Sequence, residues 1–131
     1  MISKYLTDIG LKESDPPWGW LPNDKREEKW KLEQDTYGFD SRDTWSLDYT
    51  IALLIYTRLK MYDEVNNVAT DMVKIKCGTR TYTLQECIDK IIKAFEDYIK
   101  NYDTDKITVQ IIDEYKKSIH TLSYCIRELW W

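Results

Sequence analysis

The residues with most chemical reach lie together in Gly38-Phe39-Asp40-Ser41-Arg42-Asp43-Thr44-Trp45-Ser46-Leu47-Asp48. A guanidinium pairs with phosphate or carboxylate through a planar fork, an indole stacks on a base, and a carboxylate accepts from an amide or hydroxyl. If this stretch opens a helix, Arg42, Trp45 and Asp48 follow one another at three-residue spacing and share a face. Arg42, Asp43, Trp45 and Asp48 are therefore the candidate ligand-binding residues, lining one side of a small cleft. The competing reading is structural and carries the larger weight. Asp40, Ser41 and Asp43 are all competent N-caps, acidic side chains favour the positive end of the helix dipole, and Trp45 would pack against the core.

Other reactive groups are sparse. His120 is the single histidine, and no partner in sequence marks it as a general base. Cys77, Cys87 and Cys125 form no Cys-x-x-Cys pair and cannot complete a zinc set with one histidine. They read as reduced, structural thiols. The acid pairs Asp63-Glu64, Glu96-Asp97 and Asp113-Glu114 point to different helix faces, so none is a joint metal site. No phosphate-binding loop, dinucleotide fingerprint or nucleophile elbow occurs. The expectation is a non-enzyme with no catalytic residue, no metal and no cofactor.

Three long amphipathic segments are expected to position these groups. The first helix should run from about Asp43 to Val65, with Leu47, Ile51, Leu54, Ile55, Leu59 and Tyr62 as its apolar stripe. Val73 to Lys76 alternates like a strand, Cys77 to Arg80 reads as a turn, and Thr81 to Thr83 returns as a second strand. Thr83-Leu84-Gln85-Glu86 has the capping-box pattern that opens a helix with Leu84, Ile88, Ile91, Ile92, Phe95, Ile99 and Tyr102 on one face. A last helix begins near Ile107, with Ile112, Tyr115, Ile119, Leu122, Ile126 and Leu129 as its stripe. The expected fold is mainly α: a single domain over 1–131, built as a compact bundle of three long amphipathic helices with a small β-hairpin near 73–83.

Residues 1–40 differ from the helical remainder. Asp15-Pro16-Pro17-Trp18-Gly19-Trp20-Leu21-Pro22 cannot be regular helix, and a short helix from Lys25 to about Gln34, capped by Asn23 or Asp24, follows it. With Trp18, Trp20 and Trp30 inside it, this arm is expected to be ordered, because each exposed indole forfeits ~2 kcal/mol of burial. Trp130 and Trp131 likewise suggest a docked terminus. In all, the chain holds 6 Trp and 10 Tyr against 2 Phe, a supply suited to binding surfaces as well as cores. The net charge of −4, with both signs interleaved, argues against a DNA- or RNA-binding domain. The N-terminus has no signal-peptide core, and the longest apolar run, Ile51 to Tyr56, is too short for a bilayer, so neither membrane nor export is expected and the cytoplasm is the expected location.

The order Gly38-Phe39…Arg42-Asp43-Thr44-Trp45…Leu47-Asp48, then Ile91-Ile-Lys-Ala-Phe-Glu96 and a closing Glu128-Leu129-Trp130, resembles a family of small proteins encoded by tailed phages and prophages. The resemblance covers roughly residues 38–131. Where many relatives carry a His-Gly-Tyr-Pro-type loop, this chain has the 73–83 hairpin. The resemblance implies a phage setting, and with it a host-cell cytoplasm, but no activity. The leading expectation is an accessory protein that binds a host or viral protein and inhibits a bacterial defence, through Trp18, Trp20, Trp30 and Trp131. A homo-oligomer would use the same residues. Two rivals remain: a small-molecule binder that sequesters a nucleotide signal, and, more weakly, a metal-dependent phosphodiesterase or nuclease.

Overall fold

The computed structural model describes residues 2–12 and 24–130, so Trp18, Trp20, Trp131 and the proline-rich stretch of the arm lie outside the described residues. The described residues are 65% helical, with five α-helices and one two-stranded antiparallel sheet. In chain order they form α1 (Lys4–Asp8), α2 (Glu27–Tyr37), α3 (Leu47–Val65), β1 (Lys74–Cys77), β2 (Arg80–Thr83), α4 (Leu84–Asn101) and α5 (Val109–Cys125). Two compact units are present, Met1–Leu54 and Ile55–Trp131, and the division falls inside α3.

In the first unit, α1 buries Tyr5 and Leu6 and carries a Lys4–Asp8 ion pair one turn apart at 2.7 Å. α2 starts two residues later than expected and continues past Gln34 to Tyr37. Gly38 stops it in the left-handed region (φ 83°), where its N–H donates to the Gln34 carbonyl at 2.8 Å. The next segment is not the start of a long α-helix. Ser41–Thr44 is a single 3-10 turn, and regular α-helix begins only at Leu47. Asp40 caps that 3-10 turn by accepting from the Arg42 N–H.

The buried face of α3 also differs from the expected stripe. Tyr49, Ala52, Leu53, Tyr56 and Leu59 are buried, whereas Leu47, Ile51 and Leu54 are exposed. This helix is apolar on two sides, so spacing alone offers two solutions. Packing selects the side bearing two large tyrosines.

The second unit is built on α4 and α5 with the hairpin against them. Thr83 caps α4 by accepting from the Glu86 N–H at 3.1 Å, and Leu84, Cys87, Ile88, Ile91, Ala94, Phe95 and Ile99 form its buried face. β1 pairs with β2 in the register Ile75↔Tyr82 and Lys76↔Thr81. Gly78, at φ 64°, gives the two-residue turn the positive φ that tight hairpins require. Thr108 caps α5 through the Ile111 N–H. α5 is rotated from its expected stripe: Tyr115, Ser118 and Cys125 are buried, while Ile119 and Ile126 are exposed. The Tyr115 ring stacks on Tyr98 at 3.9 Å and lies 4.8 Å from Phe95, which fixes the rotation. Ser118 is tolerated inside because its hydroxyl donates to the Tyr115 carbonyl at 2.6 Å.

Candidate functional site

The first unit contains the same short device twice. At Asp24-Lys25-Arg26, Asp24 Oδ1 accepts from the Arg26 backbone N–H at 2.9 Å and from Arg26 Nε at 3.0 Å, and Oδ2 accepts from Nη2 at 2.9 Å. At Asp40-Ser41-Arg42, Asp40 Oδ1 accepts from the Arg42 N–H at 3.0 Å and Nε at 2.8 Å, and Oδ2 accepts from Nη2 at 2.6 Å. An aspartate that caps a turn two residues ahead brings its carboxylate next to that residue's side chain, and a guanidinium fits it as a two-pronged fork. One copy stands at the entry to α2 and the other at the entry to the 3-10 turn. Two bonds tie the second copy back to α2: Gln34 Nε2 donates to Asp40 Oδ2, and the Ser41 N–H donates to Glu33 Oε2 at 2.8 Å.

Both guanidinium groups converge on Trp30, which is only 3% exposed. The Arg42 and Arg26 guanidinium carbons lie 4.5 Å and 5.0 Å from the Trp30 ring centroid, and Arg26 is also 5.2 Å from the Trp45 ring. Trp45 meets Trp30 edge-on at 6.0 Å. A cation over an indole face is attracted by the ring quadrupole, more so where water is excluded. The whole is a brace of two carboxylates, two guanidinium groups and two indoles.

The charges follow this geometry. Asp40 is 5% exposed, and a buried carboxylate is tolerated only when paired and hydrogen-bonded. The Arg42 side chain holds it down at about 2, and Gln34 and the Arg42 N–H assist against the opposing effect of burial. Asp24 is held at about 2 by the Arg26 side chain and backbone N–H. Glu33 is lowered, first by the Ser41 N–H. Asp43 shifts the other way: burial pushes its carboxyl up, Asp40 adds to that, and Arg42 opposes it.

Of the four candidate ligand residues, the fold joins Arg42 and Trp45 through Trp30. Asp43 lies half-buried in the 3-10 turn, and Asp48 is exposed in the first turn of α3. The α-helical register in which Arg42, Trp45 and Asp48 share one face is not formed, because α-helix begins after Trp45. Trp45 is not buried as the structural reading required; it is 50% exposed. Trp30, expected as a contact residue, is covered by its own chain. The sequence reading named Asp24 and Asp40 only as caps, and missed Arg26, Glu33, Gln34 and the pairing of each aspartate with the arginine two residues on. The repeated Asp-x-Arg triplet, each an aspartate placed to cap, was the signal that could have found most of them.

Among the described residues, no three His, Cys, Asp or Glu side chains are grouped so as to hold a metal ion, and no helix is long and apolar enough to cross a membrane. No family model matches the chain, and no curated protein or solved structure is significantly similar to it.

Proposed function

We propose that this chain is a non-enzymatic accessory protein that binds a host or viral protein, of the kind that inhibits a bacterial defence in the phage setting implied by its motif. One observation carries the reading. The Arg42 fork is engaged by Asp40 and stacked on Trp30, while Tyr37, Phe39, Trp45 and Leu47, all within one short stretch, leave half or more of their surface exposed. A guanidinium held this way braces a surface. Large aromatic and aliphatic side chains presented on a braced turn are what anchor protein–protein contacts. The bundle of three long helices and the ordered aromatic arm expected from the sequence belong to the same proposal.

The rival, a nucleotide-sequestering protein, needs Arg42 to leave Asp40 for a phosphate. A thermal-shift panel of cyclic di- and trinucleotides, ADP-ribose derivatives and ordinary nucleotides separates the two. The expected result is no shift from any of them. A rise of several degrees with one ligand class, lost in Arg42→Ala, overturns the protein-binding reading, since a ligand at a hundredfold excess over its Kd stabilises by ~2.7 kcal/mol.

A further inference from the structure

Every cysteine of the chain lies in the second unit, and each comes from a different element. Cys77 ends β1, Cys87 stands in the first turn of α4, and Cys125 ends α5. The fold turns all of them inward. Alternation along β1 puts Cys77 on the same face as the buried Ile75. Cys87 belongs to the buried face of α4 with Leu84, Ile88 and Ile91, Cys125 to that of α5 with Tyr115 and Ser118, and β1 packs against both helices. Cys87 and Cys125 are completely buried, whereas Cys77, at the turn end of its strand, keeps part of its surface in solvent.

The three thiols are not equivalent. Cys77 and Cys87 hydrogen-bond each other, while Cys125 Sγ is engaged with its own helix, donating to the Leu122 carbonyl at 3.7 Å. Among the described residues no three such groups are placed to share a metal ion, but a disulfide needs only two.

We infer that Cys77 and Cys87 form a thiol-oxidation site: a hydroperoxide oxidises the partly exposed Cys77 to a sulfenic acid, and Cys87 condenses with it to a disulfide that joins β1 to α4. In the first step the Cys77 sulfur, as thiolate, attacks one peroxide oxygen. An S–O bond forms, the O–O bond breaks, and the other oxygen leaves as an alcohol, or as water from hydrogen peroxide. The sulfur is oxidised by two electrons and the peroxide is reduced by two. In the second step the Cys87 sulfur attacks the Cys77 sulfur. An S–S bond forms, the S–O bond breaks, and the hydroxyl leaves as water with the proton of Cys87.

Burial divides the roles. An oxidant in solution reaches Cys77 first. Cys87, kept protonated by burial and by the neighbouring Cys77, is shielded from direct attack. Once Cys77 is a sulfenic acid, its opposing charge is gone and Cys87 has an electrophilic sulfur as its neighbour. The disulfide opens again by exchange with an added dithiol. The site uses none of Tyr37, Phe39 or Trp45, so its failure would leave the proposed function standing.

The test treats the reduced full chain with a few equivalents of hydrogen peroxide, blocks the remaining thiols with N-ethylmaleimide after unfolding, and maps the peptides by mass spectrometry. The wild type should lose two hydrogens, remain monomeric, show a Cys77–Cys87 linked peptide and carry a single maleimide, on Cys125. Dithiothreitol should restore all three thiols. Cys87→Ala should leave Cys77 as a sulfenic acid that dimedone traps, and Cys77→Ala should slow oxidation of the other two at least tenfold. The wild-type map decides the matter even if a variant fails to fold. A Cys77–Cys125 or Cys87–Cys125 bridge, a disulfide-linked dimer, Cys77 driven to sulfinic acid with no bridge, or three thiols that stay reduced would overturn it.

Discussion

Replacing Asp40 by alanine removes, at one stroke, the cap of the 3-10 turn, both prongs of the Arg42 pair and the acceptor for Gln34. The cap alone contributes ~1 kcal/mol. Breaking a fully buried ion pair costs 3–5 kcal/mol, but the Arg42 side chain is 21% exposed and can turn toward water, so about 2 kcal/mol is appropriate here. The acidity of Asp40 gives the same size independently. Lowering a carboxyl from 3.8 to about 2 corresponds to roughly 2 kcal/mol of preference for the ionised form. That figure describes the same pairing and is not added to it. Asp40→Ala should therefore lose about 3 kcal/mol, and Asp40→Asn, which keeps an acceptor for the cap, about 2 kcal/mol. In urea unfolding followed by tryptophan emission, the alanine midpoint should fall by roughly 1–3 M. A midpoint within 0.3 M or so of the wild type would refute the brace as a stabilising element. So would equal losses in the alanine and asparagine variants, which would reduce Asp40 to a space-filling role.

Further outcomes follow from the same geometry. Because Asp40 titrates lower in the folded chain, its stabilising contribution is whole above pH 3.8 and is lost as the pH falls through about 2. Between pH 5 and 2 the wild type should lose ~2 kcal/mol more than Asp40→Asn, and parallel losses in urea titrations would contradict this. Thr83→Ala should cost about 1 kcal/mol by uncapping α4, measured as a lower urea midpoint with unchanged slope. Burial, with Cys77 and Cys125 nearby, pushes the Cys87 thiol up to about 12, and burial with Cys77 pushes Cys125 up to about 11. Both should resist iodoacetamide at pH 8 until the chain is unfolded, and fast labelling of Cys87 in the native protein, read by mass spectrometry, would refute that placement.

What could be read in advance was what local chemistry decides. The α4 boundary was legible because Thr83 is a good cap before one strongly apolar face, and the hairpin because Gly78 sits where a tight turn needs it. The buried faces of α3 and α5 were not, since isoleucines and leucines lie on both sides of each helix. Tyr115 decides the rotation of α5 by stacking on Tyr98 beside Phe95, and the buried Tyr49 and Tyr56 mark the covered side of α3, neither of which spacing encodes. The brace was half legible: Arg42 and Trp45 stood out, but their partners Arg26 and Trp30 lie at the entry to α2 and within it, and the place of that helix against the turn depends on Glu33 and Gln34. Nothing in the spacing could say that Arg42 is turned toward Asp40 and not toward a ligand.

Quantitative capture from phage-infected cells tests the central claim most directly, with the wild type as bait against a chain bearing Tyr37→Ser and Phe39→Ser, two positions more than half exposed and outside the brace, whose loss should leave the fold intact. The account predicts one host or viral protein enriched on the wild type and lost from the double variant, with added nucleotides making no difference. Equal recovery on both baits, or release of the captured protein by a single nucleotide class, would contradict it.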